Sequence, residues 1–284
     1  MNVPNNRVDS VWRHYRDRLE AGANAVEAST VIGWLFEDLF GIDRSALMLN
    51  PERLLSESEL LKLHFAVERV EQGEPVQYIT GKAEFMGRYF EVNPAVLIPR
   101  PETEELVRWI SEDLPHEARV LDIGTGSGII PISLKLNHPK LQVAALDVSE
   151  EALAVARRNG ETLQAEVNWM QLDMLSQAPR GEVDIVVSNP PYVLASEAQE
   201  MQVQVVEHEP GLALFVPDAD PLIFYERIIK WGAENLKSGA VVYFEIHEHY
   251  GQEIIAIFDS YGFVNMKLRR DLNGKDRMLR GYRP

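Results

Sequence analysis

From Arg119 to the end of the chain, short runs of apolar β-forming residues alternate with segments that have helical spacing. Short apolar strands separated by helices are typical of a parallel sheet that is covered on both faces. The sequence therefore predicts an α/β fold with a doubly wound, mostly parallel sheet. Its seven predicted strands are Val120–Ile123, Val143–Asp147, Val167–Leu172, Val183–Ser188, Ala240–Ile246, Phe263–Leu268 and Met278–Tyr282, and the predicted helices include Glu150–Asn159, Pro221–Leu236 and Gln252–Ser260.

The last two predicted strands are too close in sequence for a helix to lie between them. The intervening segment, Asp271–Asp276, contains the pair Asn273-Gly274, which favours a tight turn. We therefore expect a hairpin at this point, with the final strand running antiparallel.

The N-terminal part of the chain has a different pattern. Its apolar residues recur at helical spacing, and Ser56–Glu59 has the sequence of a capping box at a helix start. Residues 1–73 are therefore predicted to form a small helical bundle domain. Residues 74–100 are predicted to form a β-hairpin linker, and residues 101–284 to form the α/β domain. The β-forming residues of the linker are Tyr78, Ile79, Phe85, Tyr89, Phe90, Val92, Val96 and Ile98.

Charge and cysteine content exclude several classes of function. The 284 residues include 28 basic and 44 acidic side chains, for a net charge of −16, and no cysteine. The chain therefore has no disulfide, thiolate metal site or cysteine nucleophile. The acidic balance disfavours binding to nucleic-acid backbones and to anionic membranes, although the segment Lys267–Arg283 is locally basic. Neither a secretory signal nor an apolar run of about 18 residues is present, so we expect a cytoplasmic location and no membrane association.

A glycine-rich loop follows the first predicted strand of the sheet and precedes a helix. It contains Asp122, Gly124, Thr125, Gly126, Ser127 and Gly128. The dinucleotide fingerprint requires glycine where this chain has Ile129, and the Gly-Lys-Ser/Thr of a phosphate-binding loop is missing. The pattern Asp-x-Gly-x-Gly-x-Gly resembles the first motif of class I methyltransferases, which have a Rossmann-like fold and use S-adenosylmethionine. This resemblance implies that the five residues from Gly124 to Gly128 bind that cofactor.

The next two strand ends extend the predicted cofactor site. Asp147 ends the second strand, where a ribose lies in a doubly wound fold. Because a carboxylate can accept hydrogen bonds from both ribose hydroxyls, we predict that Asp147 binds the ribose. Asp173 and Met174 end the third strand. In the methyltransferase family this position surrounds the adenine, which implies that Asp173 contacts its amino group and that Met174 packs on its ring.

The most specific motif is Asn189-Pro190-Pro191-Tyr192, directly after the fourth predicted strand. It resembles the signature of methyltransferases that modify planar NH₂ groups, on adenine, on cytosine or on the glutamine side chain. The nitrogen of such a group is a poor nucleophile because its lone pair is delocalised. Two acceptors that bind both N–H groups hold the nitrogen in place and stabilise the positive charge that develops on it.

Each residue of this motif has a predicted role. We assign the Asn189 side-chain oxygen and the Pro190 carbonyl as the two acceptors, and Tyr192 as an aromatic wall for the flat substrate group. Pro190 and Pro191 stiffen the turn. The predicted catalytic residues are therefore Asn189, Pro190 and Tyr192. With Pro191 they also bind the substrate, and Asn189 in addition contacts the cofactor.

Further segments resemble a narrower family, the bacterial peptide chain release factor glutamine methyltransferases. These segments are Gly73–Gly81, Val96–Glu104, Glu209-Pro210 and Gly274–Arg277, and the resemblance covers roughly residue 60 to the end. It implies methyl transfer to the side-chain amide nitrogen of the glutamine in the Gly-Gly-Gln motif of class I release factors. It also implies a release factor as the protein partner, bound in part by the helical domain. His247 departs from the pattern, since relatives commonly have glycine there.

Two other functions remain as alternatives. An adenine-specific DNA N6-methyltransferase can share Asn-Pro-Pro-Tyr, but it needs a basic DNA-binding face, which the net charge of −16 disfavours. A binding module without catalysis is disfavoured by the intact motif. No metal site is predicted, because His247–His249 lacks the spacing of a helical zinc motif. The sequence leaves open whether Arg100, Glu102 and Glu104 line the pocket or cap a helix.

Overall fold

A computed structural model describes residues 3–22 and 28–284, and the chain divides into two compact units. The first unit spans Met1–Lys82 and Val203–His208, and the second spans Ala83–Gln202 and Glu209–Pro284. None of the described helices is long and apolar enough to cross a membrane. The finer division with boundaries after residues 73 and 100 stays a prediction.

The first unit is helical. Its apolar side chains share one core, and Ser56 and Glu59 form the predicted capping box. The helices of its N-terminal segment are α1 (Val8–Glu20), α2 (Ala28–Phe40), α3 (Arg44–Leu49), α4 (Glu57–Glu71) and α5 (Val76–Thr80).

Helix α5 differs from the prediction. Tyr78 and Ile79 are predicted to belong to the β-hairpin linker, but they lie in this short helix. Pro75 precedes the helix with a φ of −58°, and Gly81 ends it with a φ of 77°. The helix places Val76 and Ile79 against the helical core, so packing overrides the β propensity of the segment.

The predicted hairpin is shorter than expected. Its strands are β1 (Lys82–Phe85) and β2 (Arg88–Glu91), which form a two-stranded sheet. Val92, Val96 and Ile98 are buried, but they lie outside these strands.

The second unit contains the seven-stranded sheet in the order β10-β11-β9-β6-β3-β4-β5. Four of its strand pairs are parallel, and β11 runs antiparallel to both of its neighbours, as predicted. The strand bounds differ from the predicted ones by a few residues. The elements are α6 (Pro101–Asp113), β3 (Arg119–Ile123), α7 (Ile129–Asn137), β4 (Gln142–Asp147), α8 (Glu150–Leu163), β5 (Asn168–Gln171), β6 (Ile185–Ser188), β7 (Val193–Leu194), a 3₁₀ helix (Ala195–Glu200), α9 (Val203–His208, in the first unit), α10 (Gly211–Leu214), β8 (Phe215–Val216), α11 (Ile223–Asn235), β9 (Val241–Glu245), α12 (Gly251–Ser260), β10 (Val264–Arg270) and β11 (Asp276–Tyr282).

Side chains alternate between the two faces of this sheet. On β3, Val120 packs in the core formed with α6 and α7, whereas Leu121 and Ile123 pack in the core formed with α11 and α12. We call the face of the sheet that packs on α6 and α7 the α6 face, and the face that packs on α11 and α12 the α11 face. Because β3 has β4 on one side and β6 on the other, the order of the strands reverses at this point. Such a reversal opens a crevice at the carboxyl ends of the strands.

Asp122 is fully buried in β3, and the alternation places it on the α6 face. Within the described residues, neither carboxylate oxygen forms a hydrogen bond. Burial raises the pKa of Asp122 to about 7. The Thr125 hydroxyl lowers this pKa, although its geometry falls short of a hydrogen bond, and the charge of Asp147 raises it.

The raised pKa of Asp122 makes stability depend on pH. Between about pH 4 and pH 7 this group binds more protons in the folded chain than in the unfolded chain, so its contribution to stability is lost as the pH rises through this range. The substitution Asp122→Asn removes the titration. We expect the free energy of unfolding of the wild type to fall relative to that of the variant between pH 5 and pH 8, by on the order of 2–4 kcal/mol. Urea denaturation of both proteins measures the difference, and parallel pH profiles would contradict it.

Candidate active site

A cavity of about 300 Å³ lies at the carboxyl ends of β3, β4, β5 and β6. This volume is within the range of small-molecule sites. The cavity is where a doubly wound sheet binds ligands, and it lies entirely in the second unit. Its wall includes residues 94–100, the glycine loop, the ends of β4 and β5, residues 188–191 and part of α11.

The glycine loop forms one side of the cavity. Gly124 and Gly126 have φ values of 75° and 54°, and a Cβ atom added to either would meet nothing within 4 Å. The positive φ values and this open space both favour glycine. The N–H groups of Gly124 and Thr125 donate to the carbonyl of Leu146 at 2.9 and 3.0 Å, which holds the loop against the end of β4. Thr125 and Ser127 also line the cavity.

Gly128 has a different position from the rest of the loop. It lies outside the cavity wall that the described residues form, and it precedes α7 with a φ of 81°. A Cβ atom there would lie 3.0 Å from Trp169 and 3.1 Å from both Ala156 and Ile132. The close packing of α7 and α8 on the sheet therefore accounts for this glycine, and its predicted contact with the cofactor stays a prediction.

Asp147 lines the cavity at the end of β4, as the sequence places it. Its two carboxylate oxygens accept hydrogen bonds from the N–H groups of Gly126 and Ser149, each at 2.9 Å. Burial raises the pKa of Asp147, and these N–H groups lower it. The side chain thus connects the glycine loop to the start of α8, which Ser149 caps by accepting from the N–H of Ala152 at 3.1 Å.

Asp173 and Met174 line the cavity beyond the end of β5. Asp173 accepts hydrogen bonds from the N–H of Leu175 and from the Ser176 hydroxyl, each at 2.9 Å. Met174 is buried. Sequence reasoning missed Phe224, which lines the same cavity from α11, because it sits in an apolar helical stripe that looks like ordinary core.

The Asn-Pro-Pro segment follows β6 and forms another part of the cavity wall. Asn189, Pro190 and Pro191 all line the cavity. The preceding Ser188 donates from its buried hydroxyl to the carbonyl of Ile123 at 2.7 Å, which fixes the start of the segment against β3. Asn189 donates from Nδ2 to the Thr103 hydroxyl at 3.3 Å. The structure therefore brings the predicted cofactor loop and the predicted acceptors to one cavity.

Tyr192 lies behind this wall, outside the cavity lining that the described residues form. Its hydroxyl donates to Glu245 Oε1 at 3.1 Å, and its ring lies edge-on to His247, with 6.0 Å between ring centres. Burial and the charge of Glu245 raise the pKa of Tyr192, so the side chain stays protonated and acts as a donor. Its role as a wall for the substrate stays a prediction.

Sequence reasoning missed two polar residues beside Asn189. Thr103 is buried in the first turn of α6, and Glu245 is buried at the end of β9. The Thr103 hydroxyl donates to Glu245 Oε2 at 2.7 Å. Two features of the sequence could have indicated them. Thr103 is a polar residue on the apolar stripe of α6, with Leu106 and Val107, and Glu245 is an acid at the end of an otherwise apolar strand.

The three residues that the sequence left open have different positions. Arg100 lines the cavity and forms an ion pair with the buried Glu209 at 2.6 Å. Glu209 also accepts from the N–H of Ile98 at 3.2 Å, so the pair connects two segments of the cavity wall. Glu104 accepts from the N–H of Met86 at 2.6 Å and pairs with Arg108, while Glu102 lies in the first turn of α6, outside the cavity lining of the described chain.

A buried asparagine connects the hairpin to the glycine loop. Asn159, on α8, donates from Nδ2 to the carbonyls of Ser127 and Glu91, at 2.9 and 3.0 Å. Its side-chain oxygen accepts from the N–H of Glu91 at 2.6 Å. One amide thus satisfies backbone groups of both segments.

The basic C-terminal segment is largely neutralised by acidic neighbours. Five of its cations form ion pairs, which are Arg269–Glu112, Arg270–Asp276, Lys275–Glu248, Arg277–Asp271 and Arg280–Asp113. This pairing leaves little of the positive field that a phosphate backbone requires.

His247 is more buried than a solvent-exposed strand end would be, since its side chain is 14% exposed. It packs against Tyr192, His249 and Tyr250. Burial lowers its pKa. In residues 3–22 and 28–284, no three His, Asp or Glu side chains are grouped as metal ligands.

Comparison with solved structures concerns the fold. A methyltransferase from Pyrococcus furiosus matches with a TM-score of 0.53 and 16% identity, over 80% of this chain and 98% of that one. The 16S rRNA N2 G1207 methyltransferase from T. thermophilus, solved with AdoMet and guanosine, matches with a TM-score of 0.51 and 16% identity, over 72% of this chain and 50% of that one. The fold is that of class I methyltransferases.

Comparison with protein families and curated relatives is more specific. Residues 101–209 match the methyltransferase small domain, and residues 10–81 match the PrmC N-terminal domain. A release factor glutamine methyltransferase from Bacteroides thetaiotaomicron is 47% identical over 87% of this chain and 89% of its own length. One from Staphylococcus aureus is 33% identical over 94% of this chain and 98% of its own length. The chain therefore belongs to the family of release factor glutamine methyltransferases.

Proposed function

We propose that this protein transfers a methyl group from S-adenosylmethionine to the side-chain amide nitrogen of the glutamine in the Gly-Gly-Gln motif of class I release factors. The observation that carries the proposal is that Asn189 and Pro190 line the same cavity as the glycine loop. The cavity thus offers acceptors for a planar NH₂ group beside a predicted cofactor loop. The names of the relatives, at up to 47% identity, support the glutamine of a release factor as that group.

The residues of the cavity fit S-adenosylmethionine. Gly124 and Gly126 leave open space that any side chain would fill, so a ligand can approach their backbone. Asp147 and Asp173 give the cavity a negative potential that suits a cofactor with a cationic sulfur and an ammonium group. The apolar surfaces of Met174 and Phe224 suit a flat adenine ring. We propose that Asp147 holds the ribose and that the loop from Gly124 to Ser127 holds the amino-acid end.

The reaction needs an activated carbon and a nitrogen whose lone pair faces it. When bound, S-adenosylmethionine supplies the carbon as a methyl group on a positively charged sulfur. Asn189 Oδ1 and the Pro190 carbonyl accept the two N–H groups of the glutamine amide, hold the nitrogen and stabilise the positive charge that develops on it. The nitrogen–carbon bond would form as the carbon–sulfur bond breaks, with its electron pair left on sulfur, and the nitrogen would then lose one proton to water. No strong base is required, because the new bond has already made that proton acidic.

The protein partner and the location follow from the same proposal. We propose that the helical N-terminal region, residues 1–73, helps to bind the release factor. Release factors act in translation, so the protein would work in the cytoplasm and would not need a nucleic-acid substrate or a membrane. The alternative of an adenine-specific DNA methyltransferase is not favoured, because the basic C-terminal segment is paired with acids and the relatives are named for a different substrate.

Mass spectrometry tests the proposed reaction. Incubation of the protein with S-adenosylmethionine and a class I release factor is expected to add one methyl group to the glutamine of the Gly-Gly-Gln motif. A release factor in which that glutamine is replaced by alanine is the control and should gain no methyl group. If a DNA duplex gained methyl groups and the release factor gained none, the alternative function would be favoured.

The substitution Asn189→Ala tests the role of the side-chain acceptor. It removes one preorganised contact to the developing charge, so we expect kcat to fall by roughly 10²–10³-fold, or about 2–4 kcal/mol. Cofactor affinity should change much less. The exposed-turn variant Asn273→Ala is a matched control that should keep the wild-type rate. A wild-type kcat for Asn189→Ala at saturating substrate would remove Asn189 from the mechanism.

The substitution Asp147→Ala tests the cofactor site. It removes a carboxylate from the cavity wall, and the loss of charge-assisted hydrogen bonds should weaken S-adenosylmethionine binding by about 10–100-fold. Isothermal titration calorimetry measures this dissociation constant. Asp259→Ala, at an exposed acid of α12, is the control. Equal affinity of the Asp147→Ala variant and the wild type would rule out the ribose assignment.

A further inference from the structure

Four side chains form one hydrogen-bonded chain at the Asn-Pro-Pro wall of the cavity. Asn189 Nδ2 donates to Thr103 Oγ1 at 3.3 Å, and Thr103 Oγ1 donates to Glu245 Oε2 at 2.7 Å. The other carboxylate oxygen, Glu245 Oε1, accepts from the Tyr192 hydroxyl at 3.1 Å. We propose that Thr103 and Glu245 are positioning residues that orient the side-chain amide of Asn189, an inference that rests on the proposed function.

Glu245 determines which groups donate and which accept in this series of hydrogen bonds. A carboxylate only accepts hydrogen bonds, so both hydroxyl groups must donate to it. The side chain is buried, and burial together with the charge of Glu102 raises its pKa above the usual value. The two hydroxyl donors and the positive charge of Arg277 act in the opposite sense and favour the ionised form. Arg277 is itself fixed beside Glu245, since it donates to the carbonyl of Ile246 at 3.2 Å.

The Thr103 hydroxyl lies between Glu245 and Asn189 in this series of hydrogen bonds. Its hydroxyl has a single hydrogen, and that hydrogen is used on Glu245. Toward Asn189 the hydroxyl therefore acts only as an acceptor. The Asn189 side chain must direct its NH₂ group at Thr103, which turns its carbonyl oxygen away from Thr103. The cavity wall that includes Asn189 thus presents an acceptor.

This orientation matters because the two ends of an amide have opposite hydrogen-bonding character. A side chain rotated by half a turn would place its oxygen against the Thr103 lone pairs, where two acceptors face each other. It would also direct an NH₂ group at the NH₂ group of the substrate. The Thr103–Glu245 pair disfavours both contacts and so keeps Asn189 ready to accept before the substrate arrives.

Glu245 also restrains the other end of the motif. One carboxylate oxygen acts on Asn189 through Thr103, and the other binds Tyr192 directly. The alternation of β9 makes this possible, because Val241 and Tyr243 pack on the α6 face and Glu245 is the next residue in that series. Glu245 therefore meets Thr103, which α6 brings to the same face.

The substitution Thr103→Val tests the proposal, because valine has a similar shape and no hydroxyl. In methylation assays with a release factor at saturating S-adenosylmethionine, we expect kcat to fall by about 10–100-fold, while KM and cofactor affinity change little. Thr103→Ser keeps the hydroxyl and should restore most of kcat. Ser111→Ala, at another α6 hydroxyl that donates to the Val107 carbonyl, is the matched control and should keep the wild-type rate.

The loss of kcat caused by Thr103→Val must also depend on the presence of Asn189. In the Asn189→Ala background there is no amide to orient, so adding Thr103→Val should lower kcat by less than about two-fold. An equal loss in both backgrounds would show a merely structural role and overturn the proposal. A wild-type kcat for Thr103→Val would also overturn it. An inactive wild type would instead contradict the proposed function.

A second variant and a second measurement cover the case in which Thr103→Val does not fold. Glu245→Gln has nearly the same shape, but the NH₂ group of the glutamine can donate to the Thr103 hydroxyl. The threonine hydrogen is then free to donate to the Asn189 oxygen, so the direction of both hydrogen bonds is reversed. In the cofactor-free protein, the Asn189 side-chain NH₂ signal in ¹⁵N NMR, identified by its loss in Asn189→Ala, should shift and exchange hydrogen faster in Glu245→Gln. An unchanged signal together with a wild-type kcat would overturn the proposal.

Discussion

Strands β3 and β6 are neighbours in the sheet, but the helices that follow them cover opposite faces. After β3 the chain enters α7 on the α6 face, and after β6 its next long helix, α11, lies on the α11 face. The crevice between these two connections is the place where the glycine loop and the Asn-Pro-Pro segment face one cavity. Neither motif alone forms a site, so the strand order is the constraint on which the chemistry depends.

Three acids carry much of the polar structure around this crevice, and two of them, Asp122 and Glu245, are buried. Asp147 is satisfied by two backbone N–H groups, and Glu245 by two hydroxyls. Asp122 lacks such partners among the described residues, so little opposes the effect of burial, which raises its pKa to about 7. These acids therefore differ in how far hydrogen-bond donors offset the cost of burying a carboxylate.

Much of the fold could be predicted from the sequence, because strand and helix periodicities are local properties. The parallel strands, the terminal hairpin and the capping box at Ser56 are of this kind. Helix α5 could not be predicted, because the burial of Val76 and Ile79 depends on helices that lie far away in sequence. The cavity residues on strand ends could be found, because they belong to local motifs. The contact between Thr103 and Glu245 could not, because these residues are 142 positions apart in the sequence.

The Asn159 amide has a consequence for protein engineering. It binds backbone groups of Glu91 in the hairpin and of Ser127 in the glycine loop, so these two segments share one support on α8. Because the bonds are to backbone atoms, they do not depend on which side chain the hairpin has at position 91. A chimera that takes its hairpin from one relative and its α8 from another must therefore keep an asparagine at this position, whatever else is exchanged.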